Sequence, residues 1–189
     1  MGIALADAAC EYGADVDLVL GPVSICPENK SIRVINVTTA ESMASECISR
    51  FSYCDIAILA AAVADFTPVK VSDKKVKRSS GRLVLSLKPT KDIAEILGKS
   101  KRKTQIVAGF ALETDNEIAN AIGKLQRKRL DLIILNSLRE KGAGFGYDTN
   151  RITMIDRNNI IDKFELKSKE EAARDILDKI VSLLNSPLE

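Results

Sequence analysis

The sequence contains no histidine and no tryptophan among its 189 residues. The absence of histidine excludes a Ser-His-Asp triad, a Cys-His dyad, a histidine zinc site and an imidazole general base from this chain. Acid–base and charge chemistry therefore falls to lysine, arginine, carboxylates, backbone groups or a bound metal. Aromatic residues make up 4% of the chain, which is little for a platform on which nucleic-acid bases stack.

A strong charge of one sign is also absent. The 28 Lys and Arg residues nearly balance the 26 Asp and Glu residues, so the net charge is +2, too small to attract nucleic acid or an anionic membrane. No apolar run reaches the length of a membrane span, about 20 residues, and the N-terminus lacks the pattern of a signal peptide. We therefore expect neither nucleic acid nor a membrane as a partner, and a cytoplasmic location.

The cysteines show no paired spacing. Cys10, Cys26, Cys47 and Cys54 form no C-x-x-C motif, which disfavours a zinc or redox site built on such a pair. Because free cysteine is usually buried, we expect separate and mostly buried thiols of a reduced protein.

The hydrophobic pattern alternates between the periods of strands and helices. Capping-box patterns at Thr38, Thr114 and Ser168, each followed three residues later by Glu, predict helix starts. Helices are predicted at residues 3–12, 38–50, 92–97, 114–129 and 168–184, strands at 16–20, 32–37, 56–62, 83–87, 105–110, 132–135, 152–155 and 160–166, and a long polar loop at 65–82. This order predicts one α/β domain over residues 1–189, with a Rossmann-like, doubly wound, mostly parallel sheet and a C-terminal β-hairpin.

The beginning of this pattern is unusual. A doubly wound sheet begins with a strand and a glycine-rich turn, whereas this chain begins with a helix. Either the helix is the true start, or the first strand and its turn are missing from the sequence. We favour the second interpretation.

The segment 60–68, Ala-Ala-Ala-Val-Ala-Asp-Phe-Thr-Pro, follows a continuous apolar strand. Ligands of open α/β sheets bind at the ends of such strands. Small side chains let a flat ligand approach the backbone, and Asp65 offers a carboxylate to a metal. Strand packing followed by a turn cap explains the same residues equally well.

Lysines form two further candidates. The run Lys74-Lys75-Val-Lys-Arg suits a flap that closes over phosphate groups, although most such runs are solvated surface. Lys124 and Lys128 are four residues apart and share a helix face, where they either grip a polyphosphate or form the solvent side of the helix.

A glycine-rich segment at residues 142–146 does not match a dinucleotide-binding fingerprint, because Tyr147 stands at the last glycine position and no helix follows. This mismatch disfavours a nicotinamide oxidoreductase.

Many of these segments occur in the same order in one known family. They are Met1-Gly2, residues 13–24, 60–68, 75–78, 92–93, 109–114, 128–136 and 145–150. Together they resemble the phosphopantothenate–cysteine ligase domain (phosphopantothenoylcysteine synthetase) of coenzyme A biosynthesis. Relative to that family, the N-terminal strand and a Gly-rich loop are missing.

The resemblance implies roles for particular residues. Lys75 and Asp65 match catalytic positions, with Asp65 also a tentative Mg²⁺ ligand. Positions that match nucleotide contacts are Ala61, Asp65, Lys75, Thr90, Lys91, Asp92, Ile93, Phe110, Lys124 and Lys128.

The resemblance also implies a reaction. A ligase of this family forms an acyl-cytidylate from 4'-phosphopantothenate and the co-substrate CTP, and couples it to cysteine. It implies Mg²⁺, a homodimer, and a phosphopantothenoylcysteine decarboxylase domain or subunit as a partner, with no flavin in this chain. The alternative is a catalytically incomplete nucleotide-binding or assembly module derived from that ligase.

Overall fold

The computed structural model describes residues 1–70, 74–75, 83–113, 115–137 and 148–186. In chain order, the elements within these ranges are α1 (Gly2–Glu11), β1 (Asp17–Leu20), β2 (Arg33–Asn36), α2 (Ala40–Phe51), β3 (Ile56–Leu59), β4 (Phe66–Pro68), β5 (Leu87–Pro89), α3 (Ile93–Ser100), β6 (Ile106–Glu113), α4 (Glu117–Lys128), β7 (Leu132–Ser137), β8 (Thr149–Asn150), β9 (Ile152–Asp156), β10 (Ile161–Lys163), β11 (Lys167–Ser168) and α5 (Lys169–Asn185).

The central sheet has the strand order β10-β9-β7-β6-β3. Strands β3, β6 and β7 are parallel, with Ile58 opposite Ala108 and Phe110 opposite Ile134, while β9 and β10 continue the sheet antiparallel. The predicted α/β class, mostly parallel sheet and C-terminal hairpin are therefore confirmed.

Both faces of this sheet are covered because its central strands are apolar at successive positions. Ala108 and Ile134 pack with α1 and α5 on one face. Val107 and Ile133, which point the other way, pack with α2, α3 and α4. Two-sided burial explains why these strands are continuous apolar runs rather than alternating ones.

A second, separate sheet consists of β1 and β2, which pair in parallel from Asp17↔Arg33 to Leu20↔Asn36. Within the described residues, β1 pairs with β2 alone and β3 pairs with β6 alone. A cavity lined by every residue of β1 and β3 lies between the two sheets. We call it the inter-sheet cavity.

The predicted loop at 65–82 is wrong at its start. Strand β4 begins at Phe66 and pairs antiparallel with β5, so that Phe66 lies opposite Pro89. The extended segment predicted at 83–87 reaches strand geometry at Leu87. Residues 71–73 and 76–82 of this loop lie outside the described residues.

Two of the three predicted helix caps are shifted. The cap of α2 is Thr39, whose hydroxyl accepts from the amide of Ser42 at 3.0 Å, one residue after the predicted Thr38. Helix α4 starts after Asn116, whose backbone is left-handed with φ 44°, and Thr114 lies outside the described residues. The predicted box of Ser168 and Glu171 is confirmed at α5.

The cysteines are free thiols, as expected, but the expectation that most are buried is wrong. Cys10, Cys47 and Cys54 are partly exposed, and Cys26 is fully at the surface. They lie on helix flanks and loops rather than on the two-sided central strands.

In the described part of the chain, no helix combines the length and the apolar character needed to cross a membrane.

Candidate functional site

The inter-sheet cavity has a volume of about 1770 Å³ and runs along the strands to their carboxyl ends. Its wall at that end consists of the segment after β3, the residues before α3, and one face of α4. Of the sequence-predicted site residues, those that line it are Ala61, Asp65, Thr90, Lys91, Asp92, Ile93, Phe110, Lys124 and Lys128. The fold therefore brings together segments that are up to 67 positions apart, between Ala61 and Lys128.

Thr90 joins the segment after β3 to the start of α3. Its hydroxyl donates to the carbonyl of Ala64 at 2.7 Å, and its amide donates to the carbonyl of Asp65 at 2.9 Å. These two bonds hold the backbone so that the exposed carboxylate of Asp65 lies at the cavity wall.

Asp92 caps α3 and anchors a lysine of α4. Its carboxylate accepts from the amide of Glu95 at 3.0 Å, and the Lys128 ammonium lies 2.9 Å from its second oxygen. Partial burial by itself raises the pKa of Asp92, but the bonds from Lys128 and Glu95 outweigh it and lower that pKa below its ordinary value. Asp92 is therefore an anion at neutral pH, and Lys128 is fixed beside it.

Lys124 is held by a different carboxylate. Its ammonium forms an ion pair with Glu113, the last residue of β6, whose side chain is 13% exposed against 36% for Lys124. The second Glu113 oxygen accepts from the Asn120 amide at 3.3 Å. Sequence reasoning missed Glu113, although its place at the end of a parallel strand is where functional side chains gather.

Lys91 pairs with Glu41 of α2 at 2.7 Å, and both side chains are at least half exposed. Such a pair contributes little to stability and rearranges readily. The pair links α2 to the residues before α3.

Lys75 is exposed and is not among the residues that line the inter-sheet cavity. The neighbouring Lys77 and Arg78 of the predicted flap lie outside the described residues, as does the glycine-rich segment 142–146.

The described residues contain no group of three or more His, Cys, Asp or Glu side chains that would form a metal cage by themselves. Mg²⁺ is usually held by one or two carboxylates together with phosphate oxygens of a substrate. An exposed carboxylate at the wall of a large cavity, as at Asp65, fits that mode of binding.

The charged residues that line the described cavity wall balance: five are bases and five are acids. The candidate bases Lys91, Lys124 and Lys128 lie in the part of the wall that also holds Asp65 and Asp92. Two cysteines, Cys47 and Cys54, also line the cavity. Burial raises the pKa of both thiols, which disfavours the nucleophilic thiolate.

A family model described as the DNA/pantothenate metabolism flavoprotein C-terminal domain matches residues 1–184. One curated relative, a cysteine/cysteine sulfinic acid decarboxylase of an unknown prokaryotic organism, is 60% identical over 98% of this chain and 52% of its own length. The coenzyme A biosynthesis bifunctional protein CoaBC of Bacillus subtilis (strain 168) is 42% identical over 97% of this chain and 45% of its own length. The chain thus spans about half the length of these relatives.

Among solved structures, the C-terminal domain of a coenzyme A biosynthesis bifunctional protein CoaBC matches with a TM-score of 0.79 and 34% identity. The match covers 96% of this chain and 82% of that one.

Proposed function

Since the chain belongs to the family of the DNA/pantothenate metabolism flavoprotein C-terminal domain, we propose that it is a phosphopantothenate–cysteine ligase of coenzyme A biosynthesis that uses CTP. The resemblance noted in the sequence is confirmed at the level of this family. The observation that carries the proposal is the convergence of nine of the family-matched positions, all but Lys75, on the inter-sheet cavity.

The proposed reaction has two steps. A carboxylate oxygen of 4'-phosphopantothenate attacks the α-phosphorus of CTP, which forms an acyl–phosphate bond and releases pyrophosphate. The amine of cysteine then attacks the acyl carbon, which forms the amide, releases CMP and loses one proton. Because the nucleophiles belong to the substrates, the reaction needs no histidine.

The chain's own contribution is charge compensation and positioning. Lys124 and Lys128 line the cavity, and the proposal assigns their ammonium groups to the phosphate groups of the nucleotide. The proposal also assigns a positive charge to Lys75, which is exposed and does not line the cavity.

The proposal includes Mg²⁺, with Asp65 as its protein ligand. When bound, the ion screens the negative charges of the triphosphate. Asp65 is held at the wall through Thr90, whose two bonds to the segment fix the backbone there.

The test measures pyrophosphate release from CTP, 4'-phosphopantothenate and cysteine. We expect release that requires phosphopantothenate, falls at least about tenfold in Lys128→Ala, and is weaker with ATP. Glu28→Gln, a change of one exposed charge far from the candidate residues in sequence, serves as the control. CTP binding without any turnover would instead favour the nucleotide-binding or assembly module.

A second candidate activity comes from the 60% identical relative named as a decarboxylase. Release of CO₂ from cysteine or cysteine sulfinic acid tests it directly. We expect none from this chain, because it matches about half of that relative, and none of the described residues that line the cavity is a nucleophilic thiolate or imidazole.

We also propose a homodimer and association with a phosphopantothenoylcysteine decarboxylase domain or subunit. The bifunctional names of the relatives support this second partner. Equilibrium sedimentation of the chain alone, and with such a decarboxylase, tests both associations.

A further inference from the structure

Glu113 lies behind Lys124 with respect to the inter-sheet cavity. Lys124 lines the cavity, whereas Glu113 does not. The carboxylate is 13% exposed and the lysine side chain 36% exposed. A ligand in the cavity therefore meets the lysine side chain before it meets the carboxylate.

The low exposure of the Glu113 carboxylate makes the pair difficult to separate. One oxygen, Oε1, is fully buried, and its compensating contact is the Lys124 ammonium rather than an aligned hydrogen bond. Moving the lysine away would leave Oε1 buried without a compensating charge, with the carboxylate held only by the Asn120 amide on its other oxygen, which is unfavourable. This cost favours keeping the ammonium beside Glu113 at the end of β6.

The pair still leaves Lys124 able to bind an anion. An ammonium carries three N–H donors, and the ion pair with Glu113 engages it through a single carboxylate oxygen. The geometry of one such contact leaves donor capacity for a phosphate oxygen. Glu113 thus fixes the direction of the lysine without using up its hydrogen-bonding capacity.

The other two lysine pairs of the cavity differ from this one. Lys91 and Glu41 are 50% and 70% exposed, so that pair separates at little cost. In the Lys128–Asp92 pair the carboxylate is the more exposed partner, at 41% against 22%. Of these three lysines, Lys124 is the one whose anion is shielded from the ligand.

We propose that Glu113 is a positioning residue that holds the Lys124 ammonium at the cavity wall to receive the phosphate chain of a nucleotide. This inference rests on the proposed nucleotide-binding function. It assigns to Glu113 a role that acts through Lys124 rather than through contact with the substrate.

The experiment measures affinity for inorganic tripolyphosphate and for Mg-CTP by calorimetry, on the full chain. The variants are Glu113→Ala, Glu113→Gln, Lys124→Ala and the double alanine variant, with Glu41→Ala as the matched control at the exposed pair. We expect Glu113→Ala to weaken tripolyphosphate binding about tenfold and Lys124→Ala to do the same. Adding Glu113→Ala to Lys124→Ala should then change the affinity by less than about twofold.

Glu113→Gln keeps an oxygen that accepts from the ammonium, so we expect its affinity to stay within about threefold of the parent chain. Rescue by this variant and the coupling to Lys124 are results that a general loss of stability would not produce. If Glu113→Ala tightens tripolyphosphate binding, the carboxylate merely masks the lysine and the inference is wrong. An equal loss with and without Lys124, or no binding of tripolyphosphate by the parent chain, also overturns it.

Failure of the two proposals can be told apart. Coupling measured with tripolyphosphate, together with no pyrophosphate release from CTP, would leave the Glu113 inference standing and reject the ligase. Turnover of CTP without coupling between Glu113 and Lys124 would reject the inference alone.

Discussion

Gly98 lies where α3 meets the C-terminal end of α4, and no side chain fits there. A Cβ atom at this position would lie 1.9 Å from the carbonyl oxygen of Lys128 and 3.1 Å from that of Arg129. Because both obstacles are backbone atoms, the helices must move apart to accept it. We expect Gly98→Ala to lower the free energy of unfolding by about 3 kcal/mol, and to weaken nucleotide binding because Lys128 belongs to the displaced segment.

Urea unfolding of the variant measures this loss, and Gly123→Ala is the matched control. Gly123 is an exposed residue of α4, and a Cβ atom added to it would have no described neighbour within 4 Å. Alanine there should raise stability by up to about 1 kcal/mol, because glycine disfavours helix. Equal effects of the two substitutions would contradict the close contact at Gly98.

Asp156 gives the molecule a specific sensitivity to acid. Its carboxylate accepts from the amides of Asn158 and Ile160 at 2.9 and 3.0 Å, and the Lys179 ammonium lies 2.9 Å away. Burial by itself raises the pKa of Asp156, but Lys179 and these amides outweigh it and lower the pKa below its ordinary value. Asp156 then binds a proton more readily in the unfolded chain, so its contribution to stability is present above the unfolded pKa and is lost as the pH falls through the folded one.

We therefore expect the free energy of unfolding to fall as the pH drops below about 5, toward and past the ordinary aspartate pKa, and to fall less steeply in Asp156→Asn. Chemical denaturation at a series of pH values measures both slopes. Glu28→Gln, at an exposed position, controls for the removal of one carboxylate. A slope in Asp156→Asn identical to that of the parent chain would show that this carboxylate does not contribute.

At the scale of single elements, only one of two neighbouring threonines, Thr39, caps the start of α2. Thr39 accepts from the Ser42 amide at 3.0 Å, and the Ser42 hydroxyl accepts from the Thr39 amide at 3.2 Å. We expect Thr39→Ala to lower the free energy of unfolding by about 1 kcal/mol and Thr38→Ala to change it by less than about 0.5 kcal/mol. Thermal unfolding of the two variants compares them, and the opposite ranking would place the cap at Thr38.

Thr38 and Thr39 also show how precisely the local sequence can predict a helix cap. Thr38 is followed three residues later by Glu41, the usual capping-box partner, whereas Thr39 is followed by Ser42, so the pattern alone selects Thr38. In the folded chain the reciprocal cap bonds form between Thr39 and Ser42, at the start of a helix that buries Met43 and Ala44. The central strands were predictable because two-sided burial gives continuous apolar runs, whereas β4 and β5 are short, exposed, and formed by pairing with each other.

The same limit applies to the candidate site. Residue type and family resemblance indicated Lys124 and Lys128 as site residues. The carboxylates that pair with them could be identified only from the folded structure. Glu113 pairs with Lys124 because β6 ends beside α4, and Asp92 pairs with Lys128 because α3 packs against α4. Such pairings depend on strand register and helix placement, which no short sequence pattern contains.

At the scale of the whole molecule, the β1–β2 sheet and the central sheet are separate, with the inter-sheet cavity between them. The edges of β1 and β3 that face the inter-sheet cavity carry unpaired backbone groups within the described residues. Unpaired parallel edges are templates for another strand. The first turn of α1 lies at the end of β3, since a Cβ on Gly2 would be 3.6 Å from the Cβ of Ala60. A segment joined to Met1 therefore reaches the mouth of this cavity directly.

We accordingly expect a fused strand to stabilise the fold. An extension of about five β-branched residues and a short glycine-rich turn ahead of Met1 would run parallel to β1 and β3. It should add about 2 kcal/mol, or about 6 °C in melting temperature for a domain of this size. Amide exchange at Val19 and Ile58, in the middle of the two strands, should slow at the same time.

The control is an extension of equal length that contains two prolines, which cannot complete the ladder. This control is needed because any extension converts the partly buried amino group of Met1 into an uncharged amide. Burial and Lys169 lower the pKa of that amino group. If both extensions raise the free energy of unfolding, the increase comes from loss of the Met1 charge. Stabilisation by the β-branched extension alone, with protection at Val19 and Ile58, would show that the two sheets form one through a strand between them.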